Sequence, residues 1–444
     1  MTLGIAGLLL CGLAISAPGA VPRAFPFAYE QHDFPNGLRL LTIPDDYPNV
    51  VALYIVVQAG SRNEVEPGRS GYAHLSEHLM FRGTKAYPPQ KYESILQAAG
   101  ASSNAYTTDD FTAYHTTFSK EDLELILRME ADRFRNLHYS LEDFRTEALA
   151  VLGEYNKNSA DPMEKLEEVI RDTAFDRHTY KHTTMGFLKD VQDMPNHYDY
   201  SLLFFKRYYR PERTTIIVAG DVAKLDVKGL VEKYWADWPR GDFRASIPQE
   251  PPSHGPRVNE VRWPTGTLPW VTVSFRGAAY SDQHKDTAAL DLISFLGFSE
   301  TSDLYQKLVI QEQKVDVLVA DNPDRLDPYL FTVWARVKRP EDMDYVKGQI
   351  LGVFDKFRRV LVPAERLEAV KSHLRYRFLL SLDNSESIAA NLAPYVALRR
   401  TPETINRLYE MYSQITAEDL RSMAIKYFVE SGRTIVTLKG AKSQ

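Results

Sequence analysis

The chain has 444 residues, 44% hydrophobic and 25% charged, the make-up of an ordinary globular protein long enough for two or three domains. A formal net charge of -6 offers no basic field, so no nucleic-acid partner is expected. Its one cysteine, Cys11, excludes a disulfide framework.

The first twenty residues stand apart. Residues 3–17 are almost uninterrupted apolar sequence, followed by Pro18 and small residues suited to cleavage. At about fifteen residues the run is short for a membrane span, which needs about twenty, and it reads as a signal peptide over 1–20. The alternative, on the same length argument, is an uncleaved anchor; the lack of Lys or Arg before the run departs from the usual signal pattern. Cys11 lacks the small residue expected just before a lipid-modified cysteine. The expectation is export, to the periplasm of a bacterium, with no stable membrane span after signal removal.

Phe34-Pro35-Asn36-Gly37 sets an Asn-Gly turn before the apolar run at Leu38, a hairpin signal. Residues 50–59 predict a buried strand. Next comes a helix over 71–83 carrying His74-Leu75-Ser76-Glu77-His78. At 3.6 residues per turn both imidazoles share one face and reach one metal ion. Glu77 is too close in sequence for a comfortable third ligand, but is well placed to take a proton from a metal-bound water. Taken alone, the pentad is also compatible with two histidines falling by chance on a solvated or core face.

Residues 91–99 predict a helix and 100–104 break it. The Thr- and aromatic-rich stretches 105–108 and 111–118 then predict a hairpin. An exposed strand near a metal can bind an extended peptide by backbone pairing, although such a pattern is more often plain sheet. Residues 121–137 predict an amphipathic helix, and Ser140 with Asp143 caps the next. That helix carries Glu147 and Glu154, two turns apart on one face with apolar sequence between them. Buried carboxylates need partners, so Glu154 is read as the third ligand, with Glu147 orienting a histidine or the water. His115 and His138, outside the motif, are read as packed or solvated.

The inverted His-x-x-Glu-His, the Glu147-x6-Glu154 pair and the Gly71-x-x-His74…Arg82-Gly83-Thr84 surroundings together resemble the pitrilysin/insulinase/mitochondrial processing peptidase family of inverzincin zinc peptidases. Asn104-Ala105-Tyr106-Thr107 is similar to the family's substrate-pairing edge strand. Tyr208-Tyr209-Arg210-Pro211…Val218-Ala219-Gly220-Asp221 is similar to the strand that closes its first domain. The resemblance implies one Zn2+ per chain on His74, His78 and Glu154, with Glu77 as general base assisted by Glu147. It also implies that Asn104 and Ala105 pair with the substrate main chain, and that Tyr106 lines a pocket beside the cleaved bond. His178-Thr179-Tyr180 resembles a family loop to which no role is assigned.

Prolines crowd 239–264, and after them the first pattern recurs loosely. Strands are expected at 270–275, 329–337 and 434–438, and helices at 285–295, 343–359 and 364–380. The fold class expected is α+β: two similar domains, each an antiparallel-rich mixed sheet with helices on one face. They comprise a zinc-bearing domain over 26–236, a linker over 237–262 and a non-catalytic domain over 263–444.

Family members that cleave alone bring an arginine and a tyrosine from the second half, spaced Arg-x6-Tyr after a Leu-Tyr-x-x-Leu segment. Here Leu304-Tyr305-Gln306-Lys307-Leu308 is recognisable, but the two positions hold Val309 and Asp316. Such groups stabilise charge in the transition state. The preferred expectation is therefore an endopeptidase for short or unfolded peptides, the zinc-bearing subunit of a heterodimer with a homologous zinc-less partner. The alternatives are a homodimeric or monomeric peptidase, or a non-catalytic peptide-binding scaffold.

Overall fold

The computed structural model describes residues 23–441. The expected signal peptide, with Cys11, lies outside the described residues. Strands β1 to β6 span Glu30–Asp33, Arg39–Pro44, Val50–Val57, Ser102–Thr107, Thr112–Ser119 and Thr214–Gly220; β7 to β11 span Arg257–Trp263, Trp270–Arg276, Val315–Asp321, Leu330–Val337 and Arg433–Gly440. In the first half the helices are α1 Tyr72–Met80, α2 Pro89–Ala98, α3 Leu123–Asn136, α4 Leu141–Asn158, α5 Pro162–Ala174, α6 Leu188–Asp193, α7 Tyr198–Tyr208 and α8 Val227–Trp235. The second half has α9 Lys285–Phe298, the short α10 Asp303–Tyr305 with a π-helical continuation, α11 Met343–Arg359, α12 Ala364–Leu380, α13 Ser385–Arg399, α14 Glu403–Gln414 and α15 Ala417–Tyr427.

The chain folds into a six-stranded sheet, β1-β2-β6-β3-β5-β4, and a five-stranded sheet, β7-β11-β8-β10-β9. In the first, β2 and β6 are parallel and the other neighbours antiparallel; in the second, only β7 and β11 are parallel. With β1 set aside, the two orders superimpose strand for strand. That is the internal duplication expected from the recurring pattern, in an α/β architecture of two mixed sheets.

Alternation along β3 divides the first core. Val51, Leu53, Ile55 and Val57 meet the first half's own helices, whereas Ala52, Tyr54 and Val56 face the opposite way. That opposite face is covered by Ile388, Leu392 and Val396 of α13, a helix from the second half. The exchange is reciprocal: α5 lays Leu166 and Ile170 on Trp270, Trp334 and Leu438 of the second sheet. Each sheet thus carries its own helices on one face and a borrowed helix on the other.

Residues 239–256 have no helix or strand, but the last part of the expected linker is β7. Its charged, outward residues and neighbouring prolines hide it, because it is a strand only by pairing with the distant β11.

Candidate metal centre

Helix α1 is pinned at its start. Gly71 takes φ +90, a left-handed conformation that glycine adopts without strain, and Gly186 lies so close that a Cβ there would sit 2.7 Å from Gly71 N. The carboxylate of Glu64, fully buried, accepts from the N–H groups of Gly71 and Ala73, each at 2.7 Å. An acid at the positive end of a helix satisfies donors that have no partner within it. Tyr72, Ala73, Leu75, Leu79 and Met80 bury the inner side of α1 and leave His74, Glu77 and His78 on the other.

The imidazoles of His74 and His78 lie 4.7 Å apart, edge to face. Helix α4 brings Glu154 Oε2 to 3.7 Å from His74 Nε2 and 3.5 Å from His78 Nε2. One ligand atom from each residue lies within 4.8 Å of the other two, and among the described residues no other such trio occurs. Two imidazole nitrogens and one carboxylate oxygen match a zinc site that keeps a fourth position open, so the donor set fits that ion. His74 Nδ1 is buried without a hydrogen-bond partner in the protein.

Glu147, one α4 repeat earlier, approaches His78 Nδ1 at 3.2 Å and is itself held by Arg82 at 2.6 Å. A proton on Nδ1 shared with Glu147 directs the Nε2 lone pair towards Glu154. Burial opposes ionisation of Glu147, but the bond to His78 and the Arg82 charge hold its carboxyl below the ordinary value. The same bond raises His78, whereas burial and the neighbouring His78 push His74 down to about 4, leaving it neutral and able to ligate.

Burial raises the Glu77 carboxyl, against a hydrogen bond from Thr107 Oγ1 to Oε2 at 2.6 Å. Thr107 belongs to β4, which pairs with β5 on one side and, among the described residues, with no strand on the other. Along β4, Ala105 packs into the core beneath α1, and Asn104 Oδ1 holds the Ala105 N–H at 2.9 Å. Tyr106 points to the opposite face, with its ring 5.8 Å from Phe111 and 6.3 Å from His115. It does not adjoin α1, because side chains alternate across a strand. His115 stacks on Tyr54 and His138 is exposed; neither joins the trio.

The roles of Thr107, Arg82 and Glu64 are not legible in the sequence, where Thr107 and Arg82 stand only as motif neighbours and Glu64 carries no signal. Arg82 lies four residues after His78, two past the end of α1.

The turn between β4 and β5 ties the site to the second half. Asp109 receives Arg171 at 2.7 Å and Arg325 at 2.8 Å, and Asp110 receives Tyr180 at 2.7 Å and the Leu326 N–H at 2.9 Å. His178 closes the same network on Asp327 at 3.0 Å.

Comparison with known proteins finds relatives over most of the chain. Residues 39–187 match the family model described as insulinase (peptidase family M16), and 198–374 match the one described as the peptidase M16 inactive domain. A zinc protease of Helicobacter pylori, PqqE, is 26% identical over 98% of both chains. A probable mitochondrial-processing peptidase subunit beta of Arabidopsis thaliana is 25% identical over 89% of this chain and 75% of that one. The crystal structure of a protease from Helicobacter pylori superposes with a TM-score of 0.85 at 26% identity, covering 93% of this chain and 99% of the other.

Proposed function

The chain belongs to the insulinase peptidase family, M16, and from that premise we propose that it is a zinc endopeptidase acting on short or unfolded peptides. The observation that carries the reading is the convergence of His74, His78 and Glu154 beside a carboxylate, Glu77, that touches a free sheet edge.

His74, His78 and Glu154 would hold a zinc ion, which when bound would polarise a carbonyl and acidify a water. A peptide adds to the free edge of β4, and its main chain displaces the Asn104 side chain from the Ala105 N–H. Tyr106 then flanks substrate side chains on the face away from α1. Glu77 Oε2 is held by Thr107, which leaves Oε1 to take the proton from the attacking water. Glu77 returns that proton to the leaving amide nitrogen. Glu147, fixed by Arg82, keeps His78 in the ligating tautomer.

Purified protein should hold one zinc per chain and cleave an unfolded peptide, and Glu77→Gln should keep the zinc and lose cleavage. A chain that holds no zinc, and cleaves nothing alone or with a homologue, overturns the reading.

The second half supports a partner subunit. Val309 is packed against the second core, and Asp316 is bound by Arg336 at 2.9 and 3.0 Å, so neither supplies the charge-stabilising pair of self-sufficient relatives. We infer a heterodimer with a zinc-less homologue. Full activity of the chain alone, unchanged by such a partner, rules this out in favour of a homodimer or monomer. Export rests on the apolar segment over 1–20; among the described residues no helix is long and apolar enough to cross a membrane.

A further inference from the structure

Four hydroxyls stand in line behind Glu77. Thr107 and Thr112 are cross-strand neighbours on β4 and β5 with their Oγ1 atoms 3.2 Å apart, and Tyr114 lies two residues beyond Thr112, on the same face. The Tyr114 hydroxyl meets that of Tyr209 at 2.7 Å, and Thr112 also hydrogen-bonds Tyr209. Tyr209 directly follows α7, in the segment that leads to β6. We propose that Thr112, Tyr209 and Tyr114 are positioning residues: their hydroxyls form a buried chain that keeps the Thr107 proton on Glu77 while a peptide occupies the edge of β4.

Counting protons gives the chain its direction. Each hydroxyl has one proton to donate. Thr107 gives its own to Glu77 Oε2 at 2.6 Å, so the contact between the two threonines runs from Thr112, which shares its proton between Thr107 and the Ala59 carbonyl at 2.9 Å. Tyr209 is then the donor to Thr112, and Tyr114 the donor to Tyr209. In the opposite order the Tyr114 proton has no acceptor among the described residues. Burial holds both phenols above their ordinary value, so they stay protonated and able to donate. Thr112, Tyr114 and Tyr209 are at most 2% exposed, and a buried donor left without an acceptor is costly.

The chain matters because Thr107 stands at the edge offered to substrate. A peptide added there brings carbonyls that compete for the Thr107 hydroxyl. A donor into the Thr107 oxygen polarises its O–H bond and strengthens its hold on the carboxylate, as successive hydrogen bonds do in a buried setting. Oε2 stays occupied and Oε1 stays turned to the water. The inference rests on the peptidase reading and names what steadies its base. It also gives the Tyr208-Tyr209-Arg210-Pro211 segment a part in the chemistry, through the one phenol that reaches Thr112.

The test is steady-state cleavage of an unfolded peptide by the full chain, with zinc content measured on the same samples. Thr112→Val, and the Tyr114→Phe/Tyr209→Phe double variant that leaves neither phenol unpaired, should each lower kcat by about three- to tenfold with KM and zinc content unchanged. Thr112→Ser should restore kcat. In a Thr107→Val background the same replacements should have no further effect, because they act through Thr107. Effects that add to Thr107→Val, a change in KM alone, lost zinc, or wild-type kcat in both variants overturn the inference and leave the peptidase reading standing. A zinc-loaded wild type that cleaves nothing, alone or with a homologue, removes both.

Discussion

The hydroxyl of Thr107 donates to Glu77 Oε2 at 2.6 Å, so the strand offered to substrate and the carboxylate that moves the proton are one mechanical unit. Thr107→Val removes the donor while keeping the shape. The lost bond is one to a charged group, about 1.5–3 kcal/mol, which predicts a fall of roughly tenfold or more in kcat/KM. Thr107→Ser should recover most of it. If valine and serine behave alike in peptide-cleavage kinetics, the hydroxyl does not hold the base.

Glu147 acts through His78, so its replacement should be felt in metal affinity. Glu147→Gln keeps the volume but leaves Arg82 with only the more distant Asp143, at 3.6 Å, and His78 without its strongest acceptor. Partners of this kind are worth about 10–100-fold in metal affinity. Competition against a zinc chelator should register a loss of that size, and Arg82→Ala a smaller one. Wild-type affinity in Glu147→Gln would show that the carboxylate does not orient the histidine.

Much of this was legible in the sequence for a physical reason. His74, Glu77, His78 and Glu154 sit on helices, where spacing in sequence converts directly into a shared face, and Ser140 and Asp143 form the capping box that their spacing announces. Asn36-Gly37 likewise gives its turn away through Gly37 at φ +91. Relations between distant segments were not legible. Nothing near α13 says that Leu392 covers the back of β3, and nothing in Arg257–Trp263 says that it finds β11. Position along the strand does not tell which face Tyr106 takes; Ala105 and Thr107 point to α1, so Tyr106 points away.

A buried acid should make stability depend on pH. Burial pushes the Asp291 carboxyl up to about 6, although Tyr412 and Asn322 donate to it at 2.7 and 2.8 Å. A folded-state value above the unfolded one favours the protonated form in the native protein. The contribution is therefore fully present below the unfolded value near 4 and lost as pH rises through about 6. Urea midpoints should fall between pH 4 and 6, and Asp291→Asn should flatten that slope. An equal slope in the variant assigns it to other groups.

The Asp109 carboxylate is the anchor between the halves, and it is buried. Burial alone would raise it, but Arg171 and Arg325 on either side hold it well below the usual range. Asp109→Ala leaves both guanidiniums without their shared anion, and breaking a buried pair from one side costs about 3–5 kcal/mol. Because α5 and α13 are exchanged between the sheets, neither half can loosen alone, and urea should unfold the wild type in one transition. In Asp109→Ala the midpoint should drop by that energy with the slope preserved. A loss below about 1 kcal/mol would mean that the exchanged helices, whose apolar burial does not depend on this charge, carry the junction by themselves.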